Sequence, residues 1–446
     1  MYNDYELETE IFTMEINPVK GTHDIIGDEA EMYSFYEYDC RVIAELFGYK
    51  EIRTPIIEHT PLFLRSVGES SDIVTKEMYT FDDKGGRSLT LRPELTAGVM
   101  RSIVSNKLHA NADLPLKFFY SGPCFRYERP QAGRYRQFHQ FGVECVGVNS
   151  YLQDVEVIIL GKRILESLGM DKVKVLINSL GDEESRENYR VALKEYFAKH
   201  IENMCGDCKR RYEINPLRIL DCKVPEDQEI IKGAPKMKDY LSLNAQIHFK
   251  NIQEELDKLG IAYEIDDNLV RGLDYYTGVV FEYHMEEDDI GAIGAGGHYK
   301  NLLKEVGGPD LEGVGLSFGL ERLHYVFTSI HHEKPTSGPD FFIIPMTEEA
   351  VGLSFSLADI LRSNGFAIEM NYEPKSFKAS FKIAERKRAK FAIIIGDDEI
   401  TKNQITVKNL KSQEQTTLKT DDMLMVLRSM LEEYMQSLNA ESVEAE

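Results

Sequence analysis

Residues 122–144 bring Arg126, Arg129, Arg134 and Arg136 together with Tyr127, Tyr135 and Phe138 and the carboxylates Glu128 and Glu144. Alternation at both ends of this span predicts two strands around an arginine-rich loop. Arg126 and Glu128 then point to one face of the first strand, and Phe138, Gln140, Gly142 and Glu144 share a face of the second. A guanidinium fork matches a phosphate, a ring stacks on a base, and a carboxylate holds an amine. The chemistry implied is a nucleotide meeting a cationic group.

Four further segments carry similar residues. Leu91-Arg92-Pro93-Glu94-Leu95-Thr96 sets a carboxylate and a hydroxyl two positions apart after a predicted strand. Residues 270–278 hold Arg271, Tyr275 and Tyr276 among turn glycines. Residues 293–299 form a glycine run that permits close backbone approach and delivers Tyr299. Residues 313–323 alternate small and apolar side chains before a helix start bearing Arg322. Singly, each has a plain alternative as a surface turn, core tyrosines or an ordinary loop. Together they put Arg126, Arg271 and Arg322 on separate elements, which suits a triphosphate whose charge must be neutralised at several phosphates.

Two clusters lie outside this set. Cys205-x-x-Cys208 followed by Cys222 resembles part of a zinc site, with His200 as a possible fourth ligand. The alternative is three reduced thiols in a helical region, because a second close pair is missing. Residues 375–390 carry seven basic side chains, among them Lys378, Lys382 and Arg386, against the single acid Glu385. That pattern suits an anion-facing helix or a solvated face.

The elements that must position these residues can be read from periodicity. Met32, Tyr36, Cys40, Ile43 and Phe47 predict an amphipathic helix over 28–49. Residues 49–58 read as one extended strand carrying Pro55, which suits an edge or an interface. Strand-like runs at 88–92, 117–121, 137–146, 173–178, 279–284 and 316–318 predict an antiparallel sheet with helices on one side, an α+β architecture. A polar, helical, cysteine-bearing stretch at about 182–244 reads as an insertion. From about 340, strands at 341–345, 367–370 and 391–395 alternate with helices at 349–364 and 377–389, indicating a separate α/β domain over 340–437. Residues 1–13 read as a flexible extension and 438–446 as an acidic tail.

With 446 residues, 42% hydrophobic and 28% charged, the chain is a multidomain globular protein. A net charge of −23 argues against a generic nucleic-acid coat but leaves room for a selective RNA binder with local basic surfaces. No run approaches a membrane span and no signal segment is visible, so no membrane association is expected. Six cysteines make no disulfide framework, which fits a reduced, cytoplasmic location.

These residues resemble the histidyl-tRNA synthetases of bacterial type, class II aminoacyl-tRNA synthetases, from Met14 to about Ser437. The resemblance covers three class motifs: the strand at 48–58 with Pro55, the strands and loop of 125–144, and the helix start Gly319-Leu-Glu-Arg322. It also covers two segments peculiar to histidine enzymes, Leu269-Val-Arg-Gly-Leu-Asp-Tyr-Tyr276 and 294–299, and the opening Lys20-Gly-Thr-His-Asp24. It implies a class II catalytic domain over 14–335 and an anticodon-binding domain over 340–437.

It further implies histidine–tRNA ligase activity: histidine and ATP give histidyl-adenylate and pyrophosphate, and the acyl group then passes to the 3′-terminal adenosine of tRNA(His). By similarity, Arg126 and Arg271 hold the α-phosphate from two sides, Arg271 where relatives would place a metal. Arg322 binds the γ-phosphate, Glu128 the adenine edge, and Phe138 stacks on the base. Magnesium accompanies the β- and γ-phosphates. Glu94, Thr96 and Gln140 match the amino-acid-binding positions, with Tyr275 beside them; Glu144, Tyr276 and Tyr299 match those around the imidazole. Arg129, Gln131 and Arg136 match positions that read the acceptor end, and Lys378, Lys382 and Arg386 fall in the anticodon module. The first motif implies a homodimer.

One departure stands out. The family usually has Gly-Gly-Arg-Tyr-Asp where this chain has Gly297-His298-Tyr299-Lys300, a change that retunes a local ion pair or reflects divergence, with activity expected to survive. The rival reading is a histidine-sensing regulatory subunit of ATP phosphoribosyltransferase, a non-catalytic relative. That relative typically lacks the anticodon domain and degrades the Arg271 segment, and both are present here.

Overall fold

The computed structural model describes residues 16–68, 71–111, 113–131, 133–285, 290–331 and 338–444, so the extension predicted over 1–13 lies outside the described residues. The chain divides into two compact units, Met1–Glu333 and Lys334–Glu446.

The first unit is built on an eight-stranded sheet. Its strands run in the order Lys50–Glu51, Leu116–Phe125, Gln137–Val146, Gly313–Gly319, Gly294–Tyr299, Val279–Met285, Val173–Ser179 and Glu264–Ile265. Pairing is antiparallel except at the two outer pairs, which are parallel. On one face, the Asp28–Leu46, Tyr151–Ser167 and Leu320–Ile330 helices cover Phe119, Phe141, Val143, Val314 and Phe318 in a continuous apolar core. On the other, Leu95, Val99 and Met100 pack with Tyr120, Tyr275, Tyr276 and Tyr299. Fully burying each large side chain contributes about 1.5–3 kcal/mol. The period of two decides which strand residue meets which layer, and the site lies on the second face.

Local chemistry sets the element boundaries. The first helix ends at Leu46 rather than near Tyr49, because Gly48 takes a φ of 82°, the left-handed stop that glycine accepts without strain. The strand expected over 49–58 is split. Lys50–Glu51 joins the large sheet, while Ile57–His59 pairs with Ser88–Leu91 in a three-stranded sheet. Pro55 lies between them and has no N–H to continue a ladder. The first arginine-bearing strand stops at Phe125, so Arg126 and Glu128 lie just beyond its end rather than on it. Residues 294–299, read as a glycine run permitting close backbone approach, form the Gly294–Tyr299 strand near the middle of the sheet.

The second unit holds a five-stranded sheet. Ile368–Met370, Phe341–Pro345 and Phe391–Ile395 are parallel, and a Gln404–Asn409/Gln415–Lys419 hairpin that periodicity did not signal is added antiparallel. Thr347 caps the Glu348–Ser363 helix by accepting from the Ala350 N–H, with Glu348 and Glu349 in its first turn. The last helix runs Met423–Glu444, past the boundary expected near Ser437, since no glycine or proline there breaks it.

Candidate functional site

Two adjoining cavities open on the second face of the large sheet. The smaller, about 150 Å³, is walled by Glu94, Thr96, Arg126, Gln140, Arg271, Tyr275 and Tyr276. The larger, about 590 Å³, is walled by Glu128, Arg134, Phe138, Glu282 and Arg322, and shares Arg126, Gln140 and Arg271 with the first. Segments far apart in sequence thus converge as the alternation of the central strands requires.

Each arginine is held differently. The Arg126 Nε donates to the Pro93 carbonyl at 2.8 Å, and its guanidinium lies 5.1 Å from the Phe138 ring centre. Arg271 pairs with Glu282, which His284 also contacts at 2.8 Å, and lies 5.6 Å from the Tyr276 ring centre. Burial opposes its charge, but the Glu282 carboxylate prevails and holds the guanidinium above its ordinary pKa. The Arg271 Nε is buried without a hydrogen-bond partner. A buried donor left unmade costs about 1–3 kcal/mol. Arg322 donates to the Ala292 carbonyl, and burial together with the nearby Arg134 and Arg126 lowers its pKa. Guanidiniums crowded into one cleft repel one another until an anion enters.

The floor of the smaller cavity is a carboxylate network. Glu94 is buried and accepts from the Thr96 and Ala97 backbone N–H groups at 2.6 and 2.9 Å, at the start of the Thr96–Ser105 helix. Burial nevertheless raises its pKa. Glu144 is buried, lines neither cavity, and accepts from the hydroxyls of Thr96 (2.7 Å), Tyr120 (2.9 Å) and Tyr299 (2.6 Å). Burial outweighs these donors and pushes its carboxyl up to about 8. Glycines make room for this packing. A Cβ on Gly315 would strike the Glu144 carboxylate, and one on Gly297 would sit 2.8 Å from Tyr276. The glycine run therefore admits side chains, where the sequence pointed to backbone approach.

Glu128 lies 3.9 Å from Arg126 and 3.5 Å from Arg134. Arg136 stacks 3.8 Å from the Tyr127 ring centre, and its N–H donates to the Gly21 carbonyl at 2.7 Å, so the opening segment packs against the arginine-rich loop. Arg129 and Gln131 are exposed on that loop and line neither cavity. In the second unit, Lys378, Lys382 and Arg386 are all exposed at successive i, i+4 positions of the Phe377–Arg386 helix.

Residues missed from sequence include Tyr120, directly opposite Gly142, and Glu282, directly opposite Ala295, both within expected strands. Asp154 and Glu312 were missed because no local pattern marks them. His298 faces away from Tyr299 into the helical layer, donating between Asp154 (2.9 Å) and Glu312 (3.0 Å). Burial opposes its charge, but the two carboxylates push the imidazole up to about 10. Lys300 lies 3.5 Å from Glu312. The unusual pair is therefore an ion cluster on the opposite face from the cavities.

Comparisons with known proteins agree with this geometry. The family model described as histidyl-tRNA synthetase matches residues 21–323, and that of an anticodon binding domain matches 340–430. A histidine–tRNA ligase of Bacillus subtilis is 46% identical over 420 residues, 93% of this chain and 99% of that protein. Another from Bacillus licheniformis is 46% identical over 423 residues, 94% of this chain and 100% of that protein. The apo histidyl-tRNA synthetase of S. aureus superposes with a TM-score of 0.79 at 36% identity, covering 93% of this chain and 100% of that one. A regulatory subunit is not favoured, given the anticodon-domain match and the intact Arg271 segment. The chain belongs to the histidyl-tRNA synthetase family.

Proposed function

We propose that the chain is a histidine–tRNA ligase in which the small cavity takes L-histidine and the larger cleft takes ATP. The observation that carries this reading is the wall the two cavities share, to which both Arg126 and Arg271 contribute. A histidine carboxylate oxygen attacks the α-phosphorus, an acyl–phosphate bond forms, and pyrophosphate leaves. Arg126 and Arg271 face the charge that develops on the pentacoordinate phosphate, and their fixed positions supply preorganised stabilisation. Arg322 receives the γ-phosphate, Glu128 the adenine edge and Phe138 the base. Glu77 on the cleft wall, and Glu282 where it is not engaged by Arg271 and His284, would offer hard oxygen ligands to a magnesium ion held mainly by the substrate phosphates, which would offset their charge.

Glu94, Thr96, Gln140 and Tyr275 receive the amino acid, and Glu144, Tyr276 and Tyr299 form the bed of its imidazole. A bed built to satisfy both ring nitrogens rejects analogues by stranding its own polar groups. The ribose hydroxyl of the terminal adenosine of tRNA(His) then attacks the carbonyl carbon, and AMP leaves. Arg129, Gln131 and Arg136 meet the acceptor end, and the Lys378, Lys382 and Arg386 face meets the anticodon stem. The protein works as a cytoplasmic homodimer. Exposed Ile56 and Ile57, which follow Pro55, and Phe81 in the same three-stranded sheet as Ile57 offer apolar surface for the partner, and no helix among the described residues is long and apolar enough to cross a membrane. Charging of tRNA(His) with labelled histidine tests the reading. Charging with histidine alone is expected, and a folded protein that binds histidine but charges no tRNA would favour the regulatory reading.

A further inference from the structure

Cys205, Cys208, Cys222 and Asp227 converge in the inserted region, each offering one ligand atom within 4.8 Å of the other three. Cys205 precedes the Gly206–Ile214 helix and Cys208 lies in its first turn. Cys222 follows the Pro216–Asp221 turn, and Asp227 opens the Pro225–Lys232 helix. Three short elements are thus folded onto one point. The Sγ atoms of Cys205 and Cys222 are 3.8 Å apart, and Cys222 Sγ lies 3.2 Å from Asp227 Oδ2. Tetrahedral zinc, bonded at about 2.3 Å to sulfur and about 2.0 Å to oxygen, sets S···S edges of about 3.8 Å and S···O edges of about 3.5 Å. A disulfide would need about 2.05 Å. The S···S distance matches the zinc edge, the S···O distance is about 0.3 Å shorter, and the two thiols are not at disulfide distance. His200, the fourth ligand considered from sequence, instead lies against Tyr196 with ring centres 5.0 Å apart, outside the cluster.

We infer that these three cysteines and Asp227 form a structural zinc site. The surroundings are those of metal thiolates: the Cys208 N–H donates to Cys205 Sγ at 3.4 Å and the Val224 N–H to Cys222 Sγ at 3.5 Å. Such N–H···S bonds stabilise sulfur carrying negative charge. The Cys205 N–H donates to both Asp227 oxygens at 3.2 Å, orienting the carboxylate. On binding, each cysteine gives its thiol proton to solvent. All four ligands come from protein, so the site is closed and structural rather than catalytic.

The site has a mechanical consequence. Between Cys208 and Cys222 lie Arg211 and Arg218. Arg211 donates to the Arg218 carbonyl at 3.0 Å and to Asp72 at 2.8 Å, and Arg218 donates to the Arg271 carbonyl at 3.2 Å. Zinc would fix the turn that supports the Arg271 backbone. The metal inference does not rest on the proposed chemistry of the cleft, and its test reads metal rather than activity.

The full-length chain, purified reduced and without chelator from zinc-supplemented cells, is analysed by plasma mass spectrometry; stripped protein is then titrated with Co2+. About one zinc per chain is expected, and Co2+ should give thiolate charge-transfer and tetrahedral ligand-field absorption. Cys222→Ser and Asp227→Ala should weaken Co2+ binding at least about tenfold, while Cys145→Ser keeps it. Chelation should lower the Tm of the wild type, because a ligand that binds the folded state stabilises it. A folded wild type with neither bound zinc nor a Co2+–thiolate spectrum would overturn the site, as would a Cys205–Cys222 disulfide in the metal-free native protein.

Discussion

Arg271 and Glu144 show how one side chain's surroundings fix its job. Arg271 pairs with Glu282 and keeps a buried Nε donor that makes no hydrogen bond. Arg271→Ala should lower adenylation by about a hundredfold or more, the usual cost of losing a preorganised donor at developing charge. Histidine binding should survive in calorimetry, and a near-native exchange rate would remove Arg271 from the α-phosphate. Glu144, pushed up to about 8 by burial, keeps its proton to higher pH than an ordinary carboxyl. Its folded-state value is raised, so its stability contribution is full below the ordinary carboxylate range and fades as pH climbs through 8. Histidine affinity should therefore break near pH 8, clear of imidazole's own titration near about 6.5, and Glu144→Gln should flatten that break.

The Gly294–Tyr299 strand shows what an element does with two neighbouring residues. Tyr299 serves the carboxylate network and His298, one step on, serves the helical layer. His298→Ala would leave the fully buried Asp154 with His248 alone, at 2.7 Å, and Glu312 without its buried cation, and should cost about 1–3 kcal/mol. His298→Arg should recover part of the lost Tm. The imidazole is raised from 6.5 to about 10, so its contribution is full below pH 6.5 and gone above pH 10. Asp154 and Glu312 are lowered, so theirs is lost on acidification. A thermal-unfolding series should then give a plateau in the mildly acidic range with losses on both sides, and Tm that does not fall between pH 7 and 10 would contradict the charged cluster.

Much of this was legible where one element carries its own signal. The Gln137–Val146, Phe341–Pro345 and Phe391–Ile395 strands sit at their expected bounds because alternation or a continuous apolar run marks them. Asp154, Glu282 and Glu312 were not, because each acquires its role only when a distant segment arrives. The break at Pro55 was also missed: a strand that changes sheets looks continuous in one dimension.

At the scale of the molecule, a chain of net charge −23 concentrates positive charge in the cleft and on one helix face of the second unit. The face made by Lys378, Lys382 and Arg386 belongs to a unit with its own sheet and core. Replacing all three by Ala should weaken tRNA binding and flatten its salt dependence, the slope falling by about one for each phosphate that no longer meets a cation. Exchange without tRNA should stay unchanged. Loss of exchange in that variant would mean that the two units are not functionally separable.

The most direct test is exchange of labelled pyrophosphate into ATP, run without tRNA for each proteinogenic amino acid in turn. The shared wall of guanidiniums and the carboxylate bed predict exchange with histidine and with no other amino acid. No exchange from a folded protein that binds histidine, or exchange driven equally by several amino acids, would contradict the account.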